Sequence, residues 1–316
     1  MNIAPWCSTL TVNGMHQSGR EEWGFCSPSC PMASGASTSA PTTPPPTISP
    51  GIAAGCECGQ ARNSQKIING VQTEVNEYPW MVGLSMISSI SPICGGALIS
   101  DQYVLTAAHC CKGKDAERLQ VFLGDHDWAI SEESDSFRRA VEKITIHPNY
   151  GKPQQLNNDV CLLKLSTPIS FPDHPLVRPV CLPPNSQTKY GNAEAIVTGW
   201  GKVSGDGKLS QYLQETEVVI MTQGDCKNIF GGLITSKMMC IAKDRQPLAT
   251  TCNGDSGGSV LHRNGESFDS VGIVSWGVTG CVDRKPSVVA RVTSTLSWIK
   301  RKTIDSNFCP RIIYEK

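Results

Sequence analysis

Apolar and polar positions alternate over short distances through most of this 316-residue chain. From Ile67 onward, brief apolar runs recur at 80–86 (WMVGLSM), 95–100 (GGALIS), 103–109 (YVLTAAH), 159–165 (DVCLLKL), 194–200 (EAIVTGW) and 271–277 (VGIVSWG). Gly, Pro, Asn and Asp separate them. Many short strands with turn residues between them predict an all-β sandwich or barrel. Only the tail, around 292–304 (VTSTLSWIKRKTI), has helical spacing, with Val292, Leu296 and Ile299 on one face. No internal repeat stands out. The stretch 33–55 (ASGASTSAPTTPPPTISPGIAAG) is Ser, Thr and Pro without a core-forming pattern, so it reads as a stiffened linker.

Composition narrows the class. Hydrophobic residues make up 39% and charged residues 18%, which suits a chain with a real core. Lys plus Arg and Asp plus Glu each total 28, which argues against a nucleic-acid or membrane-surface partner. No apolar run approaches the roughly 18 residues of a membrane helix. Fifteen cysteines point to disulfides and an extracellular compartment. Metal binding is the alternative, but Cys56 and Cys58 have no matching pair or His at zinc-site spacing. The opening MNIAPWCSTL has neither a basic start nor an apolar stretch, so it is not a signal peptide. The expectation is that the true start and the leader lie upstream.

Three local motifs carry chemistry. LTAAHC places His109 at the end of a strand, NNDVCLLKL places Asp159 just ahead of another, and GDSGG places Ser256 in a tight loop. Acyl transfer by a serine needs a hydroxyl, an imidazole to take its proton and a carboxylate to orient that imidazole. Taken singly, each motif reads as structure: a His beside a Cys, a turn Asp, a Gly-rich turn. Together, in this order, with Ile67-Ile68-Asn69-Gly70 upstream and Ser275-Trp276-Gly277 downstream, they resemble the chymotrypsin family of serine proteases over residues 58–305.

The resemblance implies two packed six-stranded antiparallel β-barrels with a C-terminal α-helix, and a protease domain over 67–316. It implies catalytic roles for His109, Asp159 and Ser256, and an oxyanion hole made by the N–H groups of Gly254 and Ser256. It implies a zymogen cut after Lys66, whose new Ile67 amine pairs with Asp255. Residues 56–66 are then the end of the propiece. Cys94–Cys110, Cys226–Cys240 and Cys252–Cys281 match family bridges, and Cys58–Cys181 matches the one that keeps a cleaved propiece attached. A common bridge is absent at both ends, where Ala195 and His262 stand. Cys111 and Cys161 then remain beside His109 and Asp159, which the triad brings together, and they are paired on that ground. Cys56–Cys309 is a further proposed pair, and Cys7, Cys26 and Cys30 are left over. Residues 1–32, through the stretch 5–31, resemble the second half of a kringle-like or fibronectin type II module, with a loose Cys-rich leader as the alternative.

The loop 124–137 (GDHDWAISEESDSF) resembles the trypsin calcium loop, with Asp125, Glu132 and Asp135 as oxygen ligands. A solvated acidic loop is the competing reading, and no cofactor is required for the reaction. Trypsin-like relatives carry an aspartate six residues before the serine, at the pocket floor; here that position is Thr250. Thr250, Thr251, Asn253, Ser275, Trp276, Gly277 and Ser287 would contact substrate, and the Lys285-Pro286-Ser287-Val288 run is similar to a pancreatic elastase that accepts Leu, Met and Phe. The expected substrates are proteins or peptides cut after such residues, and the expected partners are an activating trypsin-like protease and serine protease inhibitors. Cleavage after Lys or Arg, with Asp283 supplying the anion, is the alternative specificity. The alternative of another class is a catalytically silent homologue acting as an adaptor module.

Overall fold

The structure is a computed structural model that describes residues 55–62, 71–130, 136–202, 207–243, 254–277 and 285–312. The chain divides into two units, Met1–Thr47 and Ile48–Lys316. The first lies outside the described residues, and with it the expected module at 1–32. Most of the linker 33–55 is outside them too.

The second unit is built from strands. A short β1 (Val71–Gln72) is followed by β2 (Met81–Met86), β3 (Cys94–Leu98), β4 (Tyr103–Thr106), β5 (Leu119–Leu123), β6 (Phe137–Ile146) and β7 (Cys161–Leu165). Strands β2 to β7 close into an antiparallel barrel in the order β2-β3-β4-β7-β6-β5. Six more strands follow: β8 (Glu194–Gly199), β9 (Gln214–Ile220), β10 (Met238–Ala242), β11 (Ser259–Asn264), β12 (Ser267–Trp276) and β13 (Ser287–Arg291). They run β9-β10-β13-β12-β11-β8, and a β8–β9 pairing closes this second ring, with β1 added beside β9. The expected pair of six-stranded barrels is therefore present.

The apolar runs are near-continuous where strands are buried on both faces. Every residue of β3 and β4 is buried. Side chains fill a barrel this narrow, so close approach has to be arranged residue by residue. Gly83 of β2 faces Phe122 of β5, and a Cβ at Gly83 would sit 1.9 Å from the Phe122 ring. Phe122 in turn meets Trp200 edge-on at 5.7 Å. The second barrel is filled by Val197, Val218, Ile241, Val260, Val271 and Val289.

Among the described residues three α-helices accompany the barrels: α1 (Ala108–Cys111), α2 (Gln223–Phe230) and α3 (Val292–Lys302). The expected tail helix is α3, which buries Val292, Leu296 and Ile299. Helix α2 breaks the expectation that only the tail is helical. It buries just Cys226, so it has no apolar stripe to read. Thr222 caps it by accepting from the Asp225 N–H at 3.2 Å, and the Cys226–Cys240 disulfide ties it to β10. His109 also differs from expectation, since it stands in the single turn of α1 just past β4 rather than in the strand.

Residues 56–59, expected to lie at the end of a propiece, are woven into the body. Disulfides join Cys56 to Cys309 and Cys58 to Cys181. The Cys58 N–H donates to the Pro310 carbonyl at 2.9 Å, Gly59 N–H donates to Pro179 at 2.8 Å, and Phe268 N–H donates to Gly59 at 2.8 Å.

Candidate active site

Strand pairing explains how residues 50 apart meet. β4 and β7 run antiparallel with Thr106 opposite Cys161, so the chain leaving β4 lies beside the chain entering β7. The first carries His109 and the second Asp159. The His109 Nδ1 lies 2.7 Å from Asp159 Oδ2, and the His109 backbone N–H donates to Asp159 Oδ1 at 2.9 Å. The Asp159 side chain is fully buried, while that of His109 is 26% exposed. The acidic neighbour assigns the proton to Nδ1, which leaves Nε2 as the nitrogen without a proton.

A third donor completes the carboxylate: the Ser275 hydroxyl donates to Asp159 Oδ2 at 2.5 Å. Its aim comes from a β-bulge. The β12–β13 register passes from Val274 opposite Val289 to Trp276 opposite Val288, so Ser275 is the extra residue. A bulge of this kind turns a side chain away from the regular alternation. A buried charge needs such partners. Burial first, then the Asp159 charge, push the Tyr150 phenol up, which keeps that neighbour protonated.

The serine loop is pressed against the first barrel. The Gly95 N–H donates to the Ser256 carbonyl at 2.8 Å, and Thr106 Oγ1 donates to the Gly95 carbonyl at 2.8 Å. A Cβ at Gly257 would fall 2.3 Å from Thr106 Oγ1. Gly254 has φ +105, a region L side chains avoid. Asp255 points back under the loop, where the Gly201 N–H donates to its Oδ1 at 2.9 Å. A Cβ at Gly201 would lie 2.3 Å from that carboxylate. Lys66 and Ile67, the proposed cleavage site and partner of Asp255, lie outside the described residues.

The residues expected to contact substrate are described in part. Ser287 opens β13 and is 1% exposed. A Cβ at Gly277 would stand 3.9 Å from the Ser287 Oγ, so the two face one another. Trp276 is steadied by Phe230 of α2 at 5.2 Å. Thr250, Thr251, Asn253, Asp283 and the Cys252–Cys281 pair lie outside the described residues. Of the three residues expected as calcium ligands, Asp125 is buried, and Glu132 and Asp135 lie outside the described residues. Cys94, His109 and Cys110 bring ligand-type atoms within 4.8 Å of one another, but Cys94 and Cys110 are joined in a disulfide and offer no thiolate. Cys111 and Cys161 are also joined. The register of β8 with β11 continues to place Ala195 opposite His262, the two positions where a bridge is absent.

Several contributors escape sequence reasoning. Gly95 and Gly201 act through backbone N–H groups, which leave no side-chain signature in the sequence. Ser275 was assigned to substrate, and its hydroxyl also reaches Asp159. Only the bulge, which no local residue pattern announces, places it there.

Two closed antiparallel barrels, with a buried Asp bonded to a partly exposed His and a tightly seated serine loop, define a hydrolase of the serine endopeptidase class. The profile of the trypsin family matches residues 67–299, and the chain belongs to that family. It is 34% identical over 261 residues to Venom serine protease 34 of Apis mellifera, covering 80% of this chain and 62% of that protein. It is 34% identical over 265 residues to a venom serine protease of Polistes dominula, covering 80% and 91%. Identity to Trypsin-4 of Rattus norvegicus is 40% over 244 residues, covering 75% and 90%.

Proposed function

We propose that this chain is a secreted serine endopeptidase, made as a zymogen and activated by cleavage after Lys66. The observation that supports it most is the Asp159–His109 contact of 2.7 Å, with both partners bonded twice over. In this reading Ser256 Oγ attacks the peptide carbonyl while His109 Nε2 takes its proton. Asp159 holds the ring in the required tautomer and stabilises the imidazolium that forms. The negative oxygen is received by the N–H groups of Gly254 and Ser256. The proton then passes from His109 to the leaving amine, and water repeats the cycle on the acyl-enzyme.

Activation follows from burial. The Ile67 amine freed by cleavage supplies a cation for Asp255, and the pair organises the serine loop around it. Five disulfides among the described residues and relatives named for venom support an extracellular site of action. An activating trypsin-like protease and serine protease inhibitors are the partners this reading requires or invites. The loop at 124–137 is a calcium site in the same reading, with Asp125, Glu132 and Asp135 as ligands. In the same reading residues 1–32 are a Cys-rich segment similar to part of a kringle-like or fibronectin type II module, and 33–55 are a linker.

Cleavage falls after Leu, Met and Phe. The floor residues Thr250 and Thr251 are neutral, and a cationic side chain entering there would lose its water without an anion in return. That costs several kcal/mol, on the order of a thousandfold in rate. Gly277 leaves the wall open, and the Ser287 hydroxymethyl group shortens the pocket. The test is kcat/KM on matched peptides differing only at the residue before the scissile bond. Leu, Met and Phe peptides should exceed Lys and Arg peptides; the reverse order, abolished in Asp283→Asn, would establish the tryptic alternative.

A further inference from the structure

His109 is followed by two consecutive cysteines, and they leave α1 for the two strands that flank β4. In the first barrel β4 lies between β3 and β7. Cys110 is joined to Cys94 at the start of β3, and Cys111 is joined to Cys161 at the start of β7. Each staple lands next to a different part of the site. Cys94 adjoins Gly95, whose N–H holds the Ser256 carbonyl. Cys161 is two residues past Asp159. All four cysteines are buried.

The segment between the staples has little structure of its own. Helix α1 is four residues long and has no side-chain cap. One turn fixes several dihedrals for very few hydrogen bonds, so it is not stable alone. Beside the staples, the turn's own backbone bonds and a 3.7 Å approach of Cys110 Sγ to Nε2, His109 makes two bonds to Asp159, the group it must be aligned with. The Asp159 side of that alignment is set by β7, and among the described residues the disulfide between β7 and the His109 turn is Cys111–Cys161.

We propose that Cys111 and Cys161 are positioning residues for the reaction assigned above: their disulfide fixes the His109 turn against Asp159, so its loss is read in turnover and in the His109–Asp159 hydrogen bond, not in substrate binding. An error of about 1 Å in such a pair costs up to about a hundredfold in rate.

The test uses the full chain cleaved after Lys66, as wild type, as Cys111→Ala/Cys161→Ala, and as Cys226→Ala/Cys240→Ala, which removes the disulfide between α2 and β10. Two quantities are measured: kcat and KM on a peptide p-nitroanilide with Leu before the scissile bond, and the far-downfield proton resonance of the His109 Nδ1–H, assigned by its absence in Asp159→Asn. The Cys111/Cys161 pair should lower kcat by about tenfold to a hundredfold with KM little changed, and should broaden the resonance. The Cys226/Cys240 pair should leave the resonance as in wild type. Unchanged kcat with a sharp resonance in the Cys111/Cys161 pair would overturn the proposal, and so would equal broadening in both pairs. If the alanine pair does not fold, Cys111→Ser/Cys161→Ser keeps the volume and is read in the same way. A wild type without turnover would refute the assigned reaction, while the resonance would still decide the positioning role.

Discussion

Glu77 is buried beside Glu215, and neither takes part in the proposed chemistry. Glu77 Oε2 accepts from the Glu74 N–H at 2.9 Å, and Tyr78 donates its hydroxyl to Glu215. Burial, opposed by the Glu74 N–H bond and aided by the Glu215 charge, pushes the Glu77 carboxyl up to about 7 from 4.5. Burial also raises Glu215, against the lowering effect of the Tyr78 hydroxyl. A raised carboxyl binds its proton more tightly in the folded state. Its contribution is fully present below the unfolded value and is lost as pH rises through the folded one. Thermal stability should therefore fall between pH 4.5 and about 7 on account of Glu77. Glu77→Gln should flatten that slope by on the order of 1–3 kcal/mol. Melting curves at pH 5 and pH 8 check it, and an unchanged slope in the variant would refute the assignment.

A second prediction at this scale concerns Gly201. Its N–H holds Asp255, and a Cβ there would fall 2.3 Å from the Asp255 carboxylate. Gly201→Ala should displace Asp255 and with it the serine loop, lowering kcat by tenfold or more while the chain still folds, in line with the cost of a small misplacement. Active-site titration beside a melting curve separates the two effects. Residues of this kind are hard to find in a sequence, because a glycine N–H carries no chemical signature. His109, Asp159 and Ser256 are found because acid–base and nucleophilic chemistry restricts their types.

At the scale of elements, legibility follows burial. β2, β4, β7, β8 and β12 coincide with apolar runs because their side chains fill a barrel, and α3 is legible because three apolar residues share its buried face. Helix α2 is illegible because a cap and a disulfide hold it instead of an apolar face. Thr222→Ala should accordingly cost about 1 kcal/mol, the usual worth of an N-cap, with little effect on turnover. Denaturant unfolding at constant m-value measures it; a loss of activity without a loss of stability would point to a role for α2 in holding Trp276. The bulge at Ser275 is equally silent in the sequence, since it is a mismatch in length between β12 and β13 rather than a residue pattern.

At the scale of the whole molecule, residues 56–59, the proposed end of the propiece, are tied into the barrel body. Two disulfides and three backbone hydrogen bonds hold residues 56–59 to segments near 180, 268 and 309. After cleavage at Lys66 the propiece should stay attached, giving one band without reductant and two with it. Cys58→Ala alone should not release it, because Cys56–Cys309 remains, whereas Cys56→Ala/Cys58→Ala should. Release from either single variant would contradict the double tether.

The central claim is that His109, Asp159 and Ser256 act as one hydrolytic unit. The most direct measurement is the initial rate of hydrolysis of labelled casein by the Lys66-cleaved chain and by its Ser256→Ala variant, both shown by circular dichroism to be folded alike. The account predicts hydrolysis by the first and a loss of several orders of magnitude in the second, because members of such a unit fail together. Equal rates in the two, or no hydrolysis by the cleaved wild type, would contradict it.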